Sequence, residues 1–183
     1  MQRLPISYVL VLGLLTAMGP ICTDLYLPAL PDMTQQMSTT TSLTQLSLTA
    51  SLIGLGLGQL FFGPLSDKLG RKLHLLLSLV LFIASSVLCA TTNDIYLLIL
   101  WRFIQGFAGA GGSVLSRSIA RDKYSGTQLT RFFALVITVN GIAPVISPDL
   151  GCYIAPTLHL LALFWTIVLA GGIVLVLTLA LLK

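Results

Sequence analysis

Six long apolar runs, separated by short polar breaks, make up most of the chain. They lie at 4–30, 43–63, 75–90, 95–116, 132–153 and 158–182. A helix needs about 20 mostly apolar residues to cross a hydrocarbon core roughly 30 Å thick. The runs lack the two-residue alternation of barrel strands, and backbone groups in lipid must be satisfied internally. We therefore predict an all-α membrane protein whose six transmembrane helices form one bundle.

The composition agrees with this pattern and excludes most soluble classes of protein. Of the 183 residues, 56% are hydrophobic and 9% are charged, and the chain contains no Glu. Such values are typical of integral membrane proteins. Because the apolar runs leave few residues over, we predict no soluble domain.

The basic residues are distributed unevenly between the two ends of the predicted bundle. One end carries Arg3, Lys68, Arg71, Lys72, Arg117, Arg121, Lys123, Arg131 and Lys183. The loops at the other end, 31–42, 91–94 and 155–157, contain no Lys or Arg. By the positive-inside rule, this asymmetry predicts that both termini are cytoplasmic. The basic residues are thus a topology signal, and we expect no nucleic-acid partner.

Residues that could bind a metal or support catalysis are few and far apart. Cys22, Cys89 and Cys152 lie within or at the ends of the runs, and their spacing matches no metal site. His74 and His159 fall at opposite membrane faces, so they cannot share one metal ion. No nucleophile and base are predicted to face each other at depth. We expect no metal, no cofactor and no enzymatic activity.

Glycines recur inside two of the apolar runs. They are Gly54, Gly56 and Gly58 in the second run, and Gly106, Gly109, Gly111 and Gly112 in the fourth. A phosphate-binding loop would need a preceding strand and a following Gly-Lys-Ser or Gly-Lys-Thr, and both are missing from the sequence. We predict instead that these glycines let helices pack closely.

Two opposite charges lie at similar predicted depth in different runs. Asp24 is roughly 9 Å below the end of the first run, and Arg102 is roughly 10 Å from the start of the fourth run at the same face. Because an ionised side chain in the bilayer is costly, we expect the two groups to face each other or a watery cavity. They form either a fixed ion pair that docks two helices or a titratable site for a proton or substrate.

The second run carries a polar stripe. Gln45, Thr49, Gly56 and Gln59 fall on one helical face at about 100° per residue. This face either lines a cavity or takes part in ordinary helix packing.

Proline and glycine predict bends in two runs. The candidates are Pro20, Pro28 and Pro31 in the first run and Pro144, Pro148 and Gly151 in the fifth. Proline lacks a backbone donor and clashes with the preceding turn, so it kinks or ends a helix. Such bends serve as hinges or are simply tolerated in the membrane.

Four local motifs carry a resemblance to a known family. Residues 63–72 fit G-x-L-x-D-[RK]-x-G-R-[RK], residues 24–31 fit D-x-Y-x-P-x-x-P, residues 102–106 fit R-x-x-Q-G, and residues 121–124 fit R-D-x-Y. With these motifs, the chain resembles the N-terminal half of a major facilitator superfamily transporter, most closely a drug:proton antiporter of the bicyclomycin-resistance type.

The exporter motif of the fifth helix in this family is matched only in part. Ala143, Ser147 and Cys152 stand where the family has glycines, and Asp149 stands at a position that is usually apolar. The roles of Asp149 and Cys152 stay open.

The resemblance implies one half of a twelve-helix fold in which each half consists of inverted three-helix repeats. Substrate is then expected near the membrane midplane between the halves, so transport requires a C-terminal half or a second copy. The implied function is proton-coupled efflux of small amphipathic or cationic molecules across a bacterial cytoplasmic (inner) membrane. The alternative is a transport-inactive bundle that acts as a partner or regulatory membrane subunit.

The resemblance also implies roles for particular residues. The proton and substrate site is expected at Asp24, Tyr26, Gln45, Gln59, Arg102 and Gln105, and a cytoplasmic gate at Gly63, Asp67, Gly70, Arg71, Lys72 and Asp122. Asp24 would carry the proton or substrate, with Arg102 as its electrostatic partner. In the gate the two glycines would permit a tight turn. Asp67 would meet a helix N-terminus of the other half, and Arg71 would pair with Asp122.

Overall fold

The computed structural model describes the backbone of residues 6–181, and their side chains except at 6–7, 68–69, 143–144, 147–161 and 181. Its helices are α1 (Ile6–Asp24), α2 (Leu30–Gln36), α3 (Thr41–Leu69), α4 (Arg71–Thr91), α5 (Ile95–Lys123) and α6 (Gly126–Leu181), with a 3-10 turn at Leu27–Ala29. No strand occurs within residues 6–181. The prediction of an all-α fold is confirmed.

Several segments are long and apolar enough to cross a membrane. Within the described residues there are five: Tyr8–Gln36, Thr41–Asp67, Arg71–Thr91, Ile95–Lys123 and Ala162–Ala180. Large apolar side chains such as Leu60, Ile137 and Leu169 are exposed on the outside of the bundle. This distribution suits contact with lipid, because apolar surface needs no shielding there.

Helix α5 is the centre of the bundle and packs against α1, α3 and α4, whereas α6 packs mainly on α1 and α4. We call the end that carries Arg71, Lys72, Arg121 and Lys123 the basic end. The far end is the opposite one, where α3 and α5 begin. Side chains cap both of these helix starts. Thr40 Oγ1 accepts a hydrogen bond from the backbone N–H of Leu43, and Asp94 Oδ1 accepts one from that of Tyr96.

Glycines bring the backbones of α3 and α5 into direct contact. A Cβ added to Gly54 would collide with the carbonyl of Phe103, and one added to Gly106 would collide with the carbonyl of Ser51. The prediction of close helix packing is confirmed at these positions. It is wrong at Gly56, where a Cβ would meet open space, because this residue lies on the outer face of α3.

The link between α3 and α4 is shorter than the sequence predicts. The second run was expected to end at 63, with Gly63 and Gly70 both in a turn, yet α3 continues through Pro64 to Leu69. Gly63 therefore lies inside a helix, and its implied turn role is wrong. Gly70 alone separates the helices, at φ 95°. One residue suffices because glycine adopts a positive φ without the steric cost that a Cβ imposes.

The first span differs from its predicted form at its far end. Helix α1 stops at Asp24, and the chain then continues through the 3-10 turn and α2 to Gln36 rather than ending at residue 30. Pro28 and Pro31 occupy the first turns of these two short elements, where a missing N–H removes no internal hydrogen bond. Pro20 lies within α1, and a bend at this residue stays a prediction.

Helix α6 replaces the two predicted spans 132–153 and 158–182. Helical structure continues from Gly126 to Leu181 over 56 residues, including the expected loop at 155–157. That short segment carries no charge that would draw it into water. A straight helix of this length would measure about 84 Å, far more than a hydrocarbon core of about 30 Å.

Contacts along α6 show that it does not run straight. Near its start, the Phe132 ring stacks on Tyr124 at the basic end, with the ring centroids 6.3 Å apart. Farther on, the Phe164 ring lies 6.0 Å from that of Tyr26 at the far end, and Gly171 faces Met18 of α1. The last part of α6 is thus antiparallel to α1, so the chain reverses between these contacts.

The predicted bend residues of α6 lie in the stretch where this reversal must occur. Pro144, Pro148 and Gly151 belong to the residues whose side chains are outside the described set, as do Asp149 and Cys152. Their role in the reversal stays a prediction.

The contact between α3 and α5 generates a stability prediction. Gly106→Ala places a methyl group against the Ser51 carbonyl, and we expect it to destabilise the bundle by about 1–3 kcal/mol. Gly56→Ala is the matched control, because it adds the same methyl group in open space and should be neutral or slightly stabilising. Thermal unfolding in detergent measures both variants. Equal melting temperatures for the two would contradict the packing described here.

Candidate functional site

A buried arginine lies at the centre of the polar residues in the bundle. Arg102 of α5 has no exposed surface. Its Nη1 donates hydrogen bonds to Gln105 Oε1 at 2.7 Å and to Cys22 Sγ at 3.2 Å. The guanidinium carbon lies 4.1 Å from the centre of the Tyr26 ring, which is a cation–π distance. We call Cys22, Tyr26, Arg102 and Gln105 the arginine cage.

Hydrogen bonds connect this cage to α3 and α4. Gln105 Nε2 donates to Ser86 Oγ of α4 at 2.7 Å. The Tyr26 hydroxyl lies 2.6 Å from Ser47 Oγ of α3 and also donates to Met33 Sδ at 2.7 Å. The cage thus joins α1, α3, α4 and α5 through polar contacts in an otherwise apolar core. Because Cys22, Ser47, Ser86 and Arg102 lie on four different helices, the contacts hold these helices in one relative arrangement.

Within the part of the chain whose side chains are described, the cage holds a cation without a counter-ion. A guanidinium stays protonated in proteins, so Arg102 carries its charge in the core. Among the described residues it forms no ion pair, and its Nε and Nη2 have no hydrogen-bond partner. Side-chain dipoles and the Tyr26 ring therefore offset the desolvation of the charge.

The expected pairing of Asp24 with Arg102 is wrong in this structure. Asp24 is half-buried at the end of α1 and makes no ion pair with Arg102. Cys22 takes its place beside the guanidinium. At about 100° per residue, Cys22 and Asp24 point to opposite sides of α1. Similar depth along two helices fixes the height of a side chain but not its direction around the helix axis.

The other predicted residues divide into two groups. Tyr26 and Gln105 do meet Arg102, as the resemblance implied. Gln45 and Gln59 do not, because both lie on the exposed face of α3. The polar stripe of the second run is therefore an uncovered surface of this bundle, and ordinary packing within the bundle does not explain it.

Ion pairs connect α3, α4 and α5 at the basic end. Arg71 Nη1 lies 2.7 Å from Asp122 Oδ2, and Arg71 Nη2 lies 2.9 Å from Asp67 Oδ1. The expected Arg71–Asp122 pair is thus present. The Asp67 and Asp122 side chains are 60% and 57% exposed, so each pair contributes only about 0.2–1 kcal/mol. Together with Gly70 and Lys72, these residues line an open cleft of 840 Å³.

Sequence reasoning missed several contributors to these two sites. His74 is buried beside the cleft, where its Nδ1 lies 2.8 Å from the Gly70 carbonyl. Lys123 Nζ lies 4.0 Å from the centre of the Tyr8 ring. Burial raises the pKa of the neighbouring Tyr124 hydroxyl. Cys22 was the least predictable, because a lone thiol in an apolar helix carries no signal that it will meet a guanidinium.

Comparison with known proteins places these features in a family. Residues 12–183 match the Major Facilitator Superfamily. An uncharacterized MFS-type transporter, YdgK of Bacillus subtilis, is 43% identical over 82% of this chain and 37% of its own length. A bicyclomycin resistance protein homolog of Haemophilus influenzae is 32% identical over 93% of this chain and 43% of its own length. Multidrug resistance protein D of Escherichia coli is 31% identical over 80% of this chain and 37% of its own length.

A solved structure supports the fold. The human organic anion transporter MFSD10 superposes with a TM-score of 0.73 at 22% identity, over 99% of this chain and 48% of that one. The chain therefore spans less than half the length of the relatives it matches.

The arginine cage generates the second prediction. Gln105→Leu removes the partner of both Arg102 Nη1 and Ser86 Oγ, and we expect a loss of stability of about 1–3 kcal/mol because buried polar groups lose hydrogen bonds. Gln45→Leu is the matched control, since the same substitution on the exposed face of α3 breaks no contact with the cage. Melting temperatures of the purified variants in detergent provide the measurement. A similar effect at both positions would show that the cage does not stabilise the bundle.

Proposed function

Because the chain belongs to the Major Facilitator Superfamily, we propose that it forms the N-terminal half of a proton-coupled exporter of small amphipathic or cationic molecules. The observation that carries the proposal is the buried Arg102–Gln105 pair within a multi-pass membrane bundle, together with the half-buried acid Asp24 at the end of α1. Members of this family are transporters rather than enzymes. Relatives named for bicyclomycin and multidrug resistance favour efflux.

In this proposal Asp24 carries the exchangeable proton or the cationic group of the substrate. The charge of Asp24 acts on the cage electrostatically. The same segment carries Cys22 and Tyr26, and both of these residues contact Arg102. A change of charge at Asp24 alters the field at a guanidinium that has no carboxylate partner among the described residues. The arrangement couples a titratable acid on α1 to a fixed charge on α5.

The ion pairs of the basic end act as the cytoplasmic gate. In this proposal both termini face the cytoplasm, as the positive-inside rule predicts, and the bundle lies in a bacterial inner membrane. Because Asp67 and Asp122 are largely exposed, breaking their pairs with Arg71 costs only about 0.4–2 kcal/mol in total. A proton or substrate that binds one state of the gate more tightly than the other supplies a free-energy difference of this size. The gate therefore opens and closes without disturbing the backbone contact of α3 with α5.

A complete cycle requires a second half. Alternating access is the rocking of one half against the other around a central site, and this chain supplies one helical bundle of such a pair. The exposed face of α3 with Gln45 and Gln59 is then turned toward the central cavity.

The proposal predicts the effect of removing the acid in the full-length transporter. Asp24→Asn should reduce efflux driven by a pH gradient at least tenfold, because the proton carrier is lost. Asp32→Asn is the matched control, since Asp32 is an exposed acid in the first turn of α2 and should leave efflux unchanged. Proteoliposomes that contain a pH-sensitive dye report the coupled proton flux. Undiminished coupling in Asp24→Asn would reassign the carrier role.

The same assay on the 183-residue chain alone tests the alternative function. No substrate-driven proton flux, combined with stable binding to another membrane protein, would favour a partner or regulatory subunit.

A further inference from the structure

Three sulfur-containing residues line one pocket at the far end of the bundle. The pocket has a volume of 270 Å³, and Met33, Met37 and Cys89 are among its lining residues. We call these three residues the sulfur cluster. The spacing of cysteine and histidine along the chain gave no sign of it, because two of its sulfur atoms belong to methionines.

The two methionines of the cluster are neighbours on one side of α2. The Met37 backbone N–H donates to the Met33 carbonyl at 3.0 Å, so the residues are one helical turn apart and their side chains lie close together. Cys89 lines the same pocket from the last turn of α4. The Tyr26 hydroxyl donates to Met33 Sδ at 2.7 Å, and Tyr26 also interacts electrostatically with Cys89. Met33 and Cys89 are thus both neighbours of one hydroxyl group.

The Cys89 thiol is a buried polar group without a hydrogen-bond partner among the described residues. Cys89 is 2% exposed and forms no disulfide. The pocket beside it opens to the far end, where Gln36 and Asn93 are exposed and Met37 is partly exposed. Since one water molecule takes up about 30 Å³ of liquid volume, the pocket has room for a metal ion that enters with part of its hydration shell.

The donor atoms in the pocket favour a soft metal ion. Thioether and thiolate sulfur are soft ligands that select Cu(I), whereas carboxylates and imidazole suit harder ions. The described residues that line the pocket include no His, Asp or Glu. Nor do three His, Cys, Asp or Glu side chains cluster anywhere in the described part of the chain. The pocket therefore lacks the usual ligands of zinc, calcium or magnesium.

The charge of Arg102 favours a monovalent ion. Cys89 interacts electrostatically with this guanidinium, which has no carboxylate partner among the described residues. When Cu(I) binds, the S–H bond of the thiol breaks, a Cu–S bond forms and one proton leaves to solvent. A thiolate with a monovalent cation is neutral, so the local charge does not change. A divalent ion would add a positive charge near a buried guanidinium, where repulsion is strong.

We propose that the sulfur cluster is a binding site for Cu(I), with Cys89 as the thiolate ligand and Met33 and Met37 as thioether ligands. A thioether sulfur has two lone pairs, so Met33 can bind the metal while it accepts the hydrogen bond of Tyr26. Bound Cu(I) joins α2 to the last turn of α4. The site lies inside one bundle and does not depend on the exporter proposal.

Competition for Cu(I) tests the site. The purified chain in detergent is titrated against the Cu(I)–bicinchoninate complex without oxygen and with ascorbate, and the loss of the absorbance of the complex reports transfer of the metal. We expect the chain to take up one equivalent. Met37→Leu conserves the volume of a partly exposed side chain but removes one donor, so it should weaken the affinity at least tenfold. Cys89→Ser removes the thiolate and should abolish this binding.

Met18→Leu is the matched control. Met18 is a buried methionine of α1 that faces Gly171 and does not line the pocket, so its replacement should leave the affinity for Cu(I) unchanged. Zn(II) in tenfold excess should not displace the bound Cu(I). Displacement by Zn(II) would overturn the preference for a soft monovalent ion.

X-ray absorption at the copper edge keeps the proposal testable if Cys89→Ser does not fold. The loaded parent chain should show three sulfur donors, and Met37→Leu should show two. Equal affinities of the parent and Met37→Leu, an equal loss in Met18→Leu, or a copper shell without three sulfur atoms in the parent would each overturn the site.

Discussion

The arrangement of this bundle depends on one constraint, which is that a permanent positive charge buried between membrane helices must be solvated by the protein itself. Among the described residues, Arg102 meets this constraint with the thiol of Cys22, the amide oxygen of Gln105 and the ring of Tyr26 rather than with a carboxylate. Because Tyr26 and Gln105 in turn bond to α3 and α4, the solvation of one charge fixes the relative positions of four helices.

Rigid and labile contacts are separated along the bundle. In its middle, Gly54 and Gly106 allow α3 and α5 to touch backbone to backbone, which leaves no space for adjustment. At the basic end, the same two helices are joined to α4 through Arg71 by ion pairs that are exposed to solvent and therefore weak. The ion pairs at this end can therefore break while the packed middle stays intact, which is what the proposed gate requires.

The sequence predicted the features that depend on local chemistry. Apolar length indicated the helical class, and the family resemblance implied the Arg71–Asp122 pair that the structure contains. Predictions from the sequence failed where the direction of a side chain around the helix axis decides which residues meet. Asp24 and Arg102 were matched by height, yet Cys22 faces the guanidinium. Gly56 was grouped with the glycines that face α5, although it points outward. The uncharged segment 155–157 did not indicate whether the helix would continue through it, as α6 does.

A double-mutant cycle on unfolding free energy tests most directly whether the cage, and not Asp24, holds the buried charge. We predict that Arg102→Lys and Gln105→Leu are coupled by about 0.5–3 kcal/mol, as expected for residues in direct contact, and that Arg102→Lys and Asp24→Asn are nearly additive. Strong coupling between Arg102 and Asp24, together with additivity between Arg102 and Gln105, would contradict the account.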